Sequence, residues 1–361
     1  MKRGWVTLVF LVLPALAQRQ NFVINVGTPE GQVLQQIGQE TDQAKKVGMM
    51  EDFLAKYPKH EGAAWVCGQL ETAYLEQKQF DKALAAAEKV YAGGTNDPDV
   101  GFNAIKAAEG AGDAQQVLTW SQRTSEAAKA VTAKPPADDD AKQYAEHVNE
   151  VSKYAEYALY AAALKSRDEK MIVNLGDALA KANPKSQYMW LVSSSYLRAL
   201  GAKGCAEAAK LSATDSQNAE AQLFEADCSW RGGRAAGVVS GGERALHALE
   251  TRPKVEGGGE AAKIGTANFF VGIGNAMQQR WGPANKALRA ALPAVKGEPI
   301  YEANALFNLG MANYTLGKSL GDKSQMRQGL NFFEQAAAIK SNVQDQASRN
   351  ATLIKAELGG R

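Results

Sequence analysis

The side chains most able to do chemistry in this sequence are three cysteines and three histidines. Cys205 and Cys228 fall on what we expect to be adjacent antiparallel helices joined near Ser216. A disulfide between them is geometrically possible, and the alternative is two small buried hydrophobic residues. Cys67 is then the odd cysteine, either packed within a helix or available as a reactive thiol.

The spacing of these residues predicts neither a metal site nor a catalytic one. His60, His147 and His247 stand isolated and no CxxC pair occurs, so we predict no zinc site. Neither GxSxG nor HExxH is present. Glu225 and Asp227 lie two residues apart on a predicted helix and therefore point in different directions. The sequence predicts a protein that is not an enzyme and needs no cofactor.

The acidic stretch Ala133–Asp140, AKPPADDD, has both a ligand interpretation and a structural one. Calcium binding by Asp138–Asp140 would need alternating oxygen ligands and a turn glycine, and the stretch has neither. Its two prolines interrupt the helical pattern, and its aspartates favour the start of a following helix. We predict a solvated linker over residues 133–140.

Four tyrosines recur along the next predicted helix, Ala141–Leu164, at positions 144, 154, 157 and 160. They could form a ladder on which a ligand stacks, or they could share a packed helix face. Tyrosines three residues apart usually lie on one packed face, so we favour packing.

The helices that carry these residues follow a pattern that is clearest in the stretch Trp65–Pro98. Apolar residues recur at three-, four- and five-residue steps on one face of each of two short helices: Trp65, Leu70, Ala73 and Tyr74, then Ala83, Ala87 and Val90. A polar break at residues 77–79 separates the helices, and Gly93-Gly94 ends the second. Neither helix can bury its apolar stripe alone, so each must pack on neighbours.

This spacing resembles the tetratricopeptide repeat, a helix–turn–helix unit of about 34 residues. In the first unit the resemblance is carried by Leu70, Tyr74, Phe80 and Ala83. The register returns at Ala245, Ala248 and Pro253, at Ala287, Ala291, Ala294 and Pro299, and at Leu309-Gly310, Gly317, Phe333 and Ala336 if residues 318–326 contain an insertion. The resemblance implies an all-α fold, an α-solenoid of antiparallel helix pairs wound as a right-handed superhelix.

In that family the first helices of successive repeats line a concave groove that binds peptides or partner helices. The resemblance implies these groove-facing residues: Trp65, Gln69 and Thr72; Tyr188, Ser195 and Arg198; Gln279 and Arg280; Asn304, Asn308 and Met311. Asn304 and Asn308 are one turn apart, and their amides could hold an extended peptide backbone. They stand where the family's carboxylate clamp would need positive charge, which argues against that ligand. Ordinary helix packing is the alternative for each residue.

The N-terminus has the pattern of a secretory signal over residues 1–17. Two basic residues precede the apolar run Val6–Leu13, and Ala15-Leu16-Ala17 is an Ala-x-Ala site, so we predict cleavage after Ala17. A retained membrane anchor is the alternative, but the run is too short to cross a bilayer. Removing this segment takes the formal net charge from +2 to zero. A balanced charge argues against nucleic acid and anionic lipid as partners, and we expect no membrane insertion after cleavage.

These patterns divide the chain into five segments: a signal peptide at 1–17, an N-terminal arm at 18–28, helical repeats at 29–132, a linker at 133–140 and further helical repeats at 141–358. The junction Phe53–Pro58, followed at once by the Trp65 unit, resembles junctions in bacterial envelope repeat proteins. The chain lacks their lipid-bearing cysteine, so only location and scaffold role follow from the resemblance.

The leading hypothesis is a periplasmic or secreted scaffold that binds protein or peptide segments in its groove during envelope assembly or maintenance. One alternative is a structural protein that associates with copies of itself, since a homo-oligomer is possible. Another is a carrier of small molecules or glycans, which would require a closed aromatic pocket near Tyr144–Tyr160.

Overall fold

The structure is a computed structural model that describes residues 24–254 and 259–359. The predicted signal peptide, the first part of the predicted arm and two of the glycines at 257–259 lie outside the described residues. Over the described residues the chain forms seventeen α-helices, one short 3-10 helix and no strand. The predicted all-α class is therefore confirmed.

The helices fall into two compact units, residues 1–162 and 163–361, with the division inside α7. Unit 1 contains α1 (Pro29–Gln39), α2 (Gln43–Lys56), α3 (Ala63–Glu76), α4 (Phe80–Ala92), α5 (Pro98–Ala111), α6 (Ala114–Thr132) and most of α7 (Asp139–Lys165). Unit 2 contains α8 (Glu169–Ala182), α9 (Gln187–Ala199), the 3-10 helix Gly201–Lys203, α10 (Gly204–Thr214), α11 (Ala219–Arg231), α12 (Ala235–Thr251), α13 (Glu260–Met277), α14 (Trp281–Val295), α15 (Pro299–Leu320), α16 (Lys323–Ala337) and α17 (Gln344–Gly359).

Local sequence fixes where many of these helices begin and end. The first turns of α2, α5, α6, α8 and α16 each donate a backbone hydrogen bond to an aspartate side chain: Asp42, Asp97, Asp113, Asp168 and Asp322. These caps satisfy N–H groups that have no partner inside the helix. Gly112 and Gly321 end α5 and α15 with φ of 71° and 67°, a conformation that glycine adopts without strain. Short turns follow, so consecutive helices lie antiparallel.

In unit 1 the pairs α3–α4 and α5–α6 pack together, and α3 also packs on α5. Gly110 lies against the ring of Phe80, where an added Cβ would come within 2.4 Å of the ring. Tyr91 packs edge-on against the buried Trp120, with ring centroids 5.1 Å apart. Small residues at such crossings allow the close approach that thin helical layers need.

Unit 2 repeats this arrangement over more helices. Each helix packs on the next, and the odd-numbered helices α9, α11, α13 and α15 also pack on one another in order. Gly265 of α13 meets Ala294 of α14, where an added Cβ would come within 2.0 Å of the alanine Cβ. Packing restricted to neighbours and next neighbours defines a solenoid. The prediction of an α-solenoid is confirmed.

Two local details differ from the sequence interpretation. Residues 318–326 do not form a loop between helices, because α15 continues to Leu320 and α16 begins at Lys323. The extra residues lengthen both helices, and Gly317 lies where an added Cβ would come within 2.7 Å of the Met326 nitrogen. The sequence pattern predicts a helix over Gly242–Leu249, whereas α12 begins at Ala235 and includes Gly241, which packs closely against Ala226. Glycine here serves close helix packing.

Helix α17 packs on α16. Its inward side chains Ala347, Ala351 and Ile354, together with Val343 just before the helix, join a core that contains the fully buried Phe333. Its outer side is mostly polar. No helix among the described residues has the length and hydropathy of a membrane span.

Candidate partner-binding face

Helices α9 and α15 carry most of the residues predicted to face a groove in this half of the chain, and α11 and α13 pack between them. We call the surface formed by α9, α11, α13 and α15 the odd-helix face of unit 2. Four aromatic rings from three of these helices meet on it: Trp230 of α11, Phe269 and Phe270 of α13, and Tyr301 of α15. Trp230 lies 5.3 Å from Phe269 and 5.8 Å from Tyr301 between ring centroids, and Tyr301 lies 4.9 Å from Phe269. Phe269 and Phe270 are buried, whereas Trp230 and Tyr301 are half-buried.

Charged groups surround the exposed edge of this cluster. Asp227 accepts an ion pair from Arg231 at 2.8 Å, and the Tyr301 hydroxyl lies 3.5 Å from the other Asp227 oxygen. Burial and the Asp227 carboxylate raise the pKa of Tyr301 to about 12, while the charges of Arg231 and Arg198 oppose that rise. Arg198 is exposed on α9 and makes no ion pair among the described residues. We call these four residues and Trp230 the Trp230 patch.

The chemistry of the Trp230 patch suits a mixed ligand. Half-buried aromatic rings can cover an apolar side chain, and an exposed guanidinium can pair with a carboxylate. Two guanidinium groups stand beside one carboxylate, so the patch carries a small excess of positive charge. A short protein segment that presents an apolar side chain next to an acidic one would match both features.

The residues predicted for the middle repeat lie on or beside this face. Arg198 belongs to the Trp230 patch, and Tyr188 is half-buried on the same helix. The Ser195 hydroxyl is half-buried and donates to the backbone oxygen of Val192 at 2.9 Å, so its hydrogen goes to its own helix.

Gln279 and Arg280 lie in the turn between α13 and α14 and not on the helix face. Both are exposed, and Gln279 has φ of 58°, the left-handed conformation of a tight turn. Arg280 lines an open cleft of about 420 Å³ together with Glu243 and Lys286. The repeat register predicts that both residues face the groove from a first helix, but α13 ends at Met277, two residues before Gln279.

The last predicted group is largely occupied by internal contacts. Asn304 is buried, and its amide donates to the Ile300 oxygen at 2.8 Å and to the Asn342 side chain at 3.1 Å. Asn308 donates to the Asn304 oxygen at 2.8 Å. The sulfur of Met311 accepts a long contact of 3.7 Å from Asn350 of α17. The amides of both asparagines donate within the protein, and the expectation that they hold a peptide backbone stays a prediction.

The predicted residues of unit 1 share one side of α3. Trp65 is half-buried against the apolar core, Gln69 is half-buried and Thr72 is exposed. The Thr72 hydroxyl donates to the Gly68 oxygen at 3.3 Å. These three side chains could contact a ligand, but no other described feature marks this side of α3 as a site.

The cysteines have distinct environments. Cys205 and Cys228 are bonded, with an S–S distance of 2.11 Å and Cα atoms 5.9 Å apart, so the bond joins α10 to α11. Cys67 is free and 3% exposed, and burial raises the pKa of its thiol. A buried thiol with a raised pKa is inert, because the thiolate is the nucleophile.

A buried ion cluster fixes α11 to the following helices. Arg252 at the end of α12 donates to both oxygens of Glu220, at 2.7 and 3.0 Å, and Lys263 of α13 pairs with the same carboxylate. Burial would raise the pKa of Glu220, but the hydrogen bonds and charges of Arg252 and Lys263 outweigh it and hold this pKa below its ordinary value. The cluster anchors α11, which carries most of the Trp230 patch.

The remaining chemical candidates have structural environments. No set of three or more metal-ligating side chains converges among the described residues. Tyr154 packs edge-on against Phe102, with centroids 4.8 Å apart, and donates to Glu109 at 2.5 Å. This ring and hydroxyl are engaged within the protein, which supports the packing interpretation of the tyrosines.

Sequence reasoning missed the centre of the patch. Trp230 and Tyr301 were not selected, and Asp227 was considered only as half of a catalytic pair. Trp230 lies near the end of a predicted first helix, five residues after Glu225, so the repeat register could have placed it on the groove side. Tyr301 could not be assigned to it, because its contact with α11 crosses 74 residues of sequence.

A search of solved structures shows that the chain is similar to one titled "Crystal Structure of the Yeast Tom70". The identity is 10%, the match covers 90% of this chain and 94% of that chain, and the TM-score is 0.21. No protein-family model and no curated protein matches the sequence. A TM-score this low carries no argument, so the fold assignment depends on the helix packing described above, which is that of an all-α solenoid.

Proposed function

We propose that the protein is an exported scaffold that binds protein or peptide segments on the odd-helix face of unit 2 during envelope assembly or maintenance. The single observation that carries this proposal is the Trp230 patch, where half-buried aromatic rings stand beside an exposed arginine without an ion pair. Aromatic and arginine side chains are the residues most enriched at the energetic centres of protein interfaces.

The exported location is supported by the sequence pattern of residues 1–17 and by the cysteine chemistry. A disulfide such as Cys205–Cys228 persists in oxidising compartments and is rare in a reducing cytosol. Fractionation of cells that produce the full chain, with N-terminal sequencing of the exported product, tests both points. We expect a mature chain that begins at Gln18.

The binding role is tested by site-specific photo-crosslinking in cells from position 198 on the odd-helix face. A matched control is position 250, where Glu250 is exposed on α12, an even-numbered helix. We expect capture of a different protein from position 198 and not from 250, and we expect Arg198→Glu to weaken binding of the purified captured segment. Capture of only the chain itself would favour the self-associating alternative, and no capture from either position would contradict the proposal.

A carrier of small molecules or glycans has less support in the structure. The clefts in unit 2 are open, and Tyr154 in the region expected to hold a closed aromatic pocket packs on Phe102. A binding assay with the purified chain and Arg198→Glu tests this alternative as well. Binding of a glycan, and not of a peptide, at the Trp230 patch would favour a carrier.

A further inference from the structure

A cleft between α10, α11 and α12 has a polar lining that the proposed function does not use. Its volume is about 310 Å³, near the lower end of the range for pockets that hold small molecules. We call it the Gln222 cleft. The Trp230 patch lies toward the other end of α11, and none of its residues lines the cleft. Six residues from the end of α10, the turn before α11, the first turn of α11 and the middle of α12 line it: Ser212, Ser216, Gln222, Glu243, Arg244 and His247.

Two buried polar atoms of this lining have no hydrogen-bond partner among the described residues: Oε1 of Gln222 and Oγ of Ser212. The two residues are 2% and 6% exposed. The Gln222 amide nitrogen donates to the backbone oxygen of Ser216 at 2.9 Å, which fixes the orientation of the amide, because its oxygen cannot take that place. Oε1 of Gln222 is therefore a buried acceptor without a donor, and a ligand that brings an N–H or O–H group to it removes the cost of that burial.

The exposed rim of the Gln222 cleft carries a carboxylate without an ion pair. Glu243 is exposed on α12 and makes no ion pair among the described residues. Its neighbour Arg244 pairs with Glu225 at 2.9 Å, so the charge of this guanidinium is already compensated. Glu243 also lines the adjacent cleft that contains Arg280 and Lys286, but it forms an ion pair with neither. The rim is left with one negative charge in excess.

We propose that the Gln222 cleft binds a cationic nitrogen group, either an ammonium or a guanidinium. Both groups offer only N–H donors, so they match the amide oxygen of Gln222 on the floor and the carboxylate of Glu243 on the rim, neither of which donates. The hydroxyl oxygen of Ser212 accepts as well, and a neutral His247 offers one further acceptor nitrogen. A carboxylate or phosphate does not fit, because it brings no donor to Gln222 and is repelled by Glu243.

This chemistry has two sources, a free small amine and a lysine or arginine side chain of a protein segment. In either case the ligand contacts α10 through Ser212, α11 through Gln222 and α12 through Glu243. A ligand that binds the folded chain and not the unfolded one stabilises it, so binding should also raise the temperature at which the chain unfolds.

The test is titration calorimetry of the full chain, with its disulfide intact, against n-butylammonium and n-butylguanidinium. Uncharged 1-butanol and anionic butyrate are the ligand controls, and we expect saturable binding of the cations alone. Glu243→Gln removes an exposed charge and should weaken binding about fivefold. Gln222→Met removes an acceptor from a charged donor and should weaken it about tenfold or more. Glu250→Gln is the matched control and should leave binding unchanged, because Glu250 is exposed on the same helix and does not line the cleft.

Three results would overturn the proposal: no saturable binding of either cation, equal binding of 1-butanol or butyrate, or an unchanged affinity in Glu243→Gln. The last of these does not require Gln222→Met to fold, since Glu243 is exposed and makes no ion pair.

A peptide with one lysine between glycines distinguishes the two sources of the cation. Binding of this peptide as tightly as n-butylammonium would identify a side chain of a protein segment as the ligand, and binding of n-butylammonium alone would identify a free amine. Arg198→Glu should bind the cations as the wild type does, so a failure of the Trp230 patch as a binding site and a failure of the Gln222 cleft give different results.

Discussion

The bond between Cys205 and Cys228 should stabilise unit 2 by an amount that its loop length sets. The two residues are 23 apart in sequence, and the chain-entropy model gives about 3 kcal/mol for closing a loop of that size in the unfolded chain. Replacing both cysteines with alanine removes the link and two sulfur atoms, that of the buried Cys228 and that of the half-buried Cys205. We therefore expect Cys205→Ala/Cys228→Ala to lower the free energy of unfolding of unit 2 by about 3 kcal/mol.

Urea unfolding followed by circular dichroism measures this loss, with Cys67→Ala introduced in every sample so that no other thiol can exchange. A reductant supplies the matched control, since the reduced parent should unfold at nearly the same urea concentration as the double variant. A loss below about 1 kcal/mol would refute the loop-closure reasoning. A difference between parent and double variant that persists at full size in reductant would show that packing, and not the covalent link, is responsible.

Three further changes have outcomes that the structure fixes. Arg252→Ala leaves Glu220 buried with only Lys263 as a charged partner, so we expect the free energy of unfolding, measured with a chemical denaturant, to fall by about 3–5 kcal/mol. Replacing the exposed Arg349 with alanine is the control and should change this free energy little. Gly265→Ala forces a Cβ against Ala294 and should lower the free energy of unfolding by about 1–3 kcal/mol. Gly282→Ala places its Cβ in open space on α14 and should not lower it. Equal effects of the two changes would contradict the close-packing argument. Cys67 should resist alkylation in the native chain and react at once in denaturant, and rapid native labelling would contradict its assigned burial.

The fold was predictable because the local sequence of each helix indicates where the helix begins and ends and which of its faces is apolar. The turn at residues 77–79, the stops at Gly93-Gly94 and the alanines of α4 are local signals, and a repeat array needs few others. Residues 318–326 are interpreted from the sequence as an insertion only because the repeat length is held constant. Two longer helices absorb the same residues and keep Gly317 at the crossing.

The candidate site was less predictable, for a physical reason. A repeat register predicts which side of a helix faces the groove. It does not predict which side chains from other helices contact that side. Asn304 is predicted to face the groove, yet it is buried and its amide donates to Ile300 of α15 and to Asn342, a residue beyond the repeat. Tyr301 contacts Trp230 from α15, four helices later in the chain, and the sequence contains no local signal of that contact.

Three sets of contacts fix helix α11 in place. Residues in these contacts could therefore change the affinity of the Trp230 patch for a ligand that they do not touch. The disulfide joins it to α10, the Glu220 ion cluster joins it to α12 and α13, and Tyr301 of α15 packs on Trp230. Arg231 also donates to the sulfur of Cys228 at 3.5 Å while it pairs with Asp227.

A surface anchored in this way loses little conformational freedom when it binds, and preorganisation of that kind raises affinity without new contacts. Reduction of the disulfide frees one of the three anchors without changing any residue of the Trp230 patch. If the patch is the binding site, reduction should therefore weaken binding of the captured segment mainly through faster dissociation. If the segment binds the reduced and oxidised chains with equal affinity, it either contacts another surface or does not depend on the anchoring of α11. Arg198→Glu separates these two cases, because it changes the patch itself and weakens binding only if the segment contacts the patch.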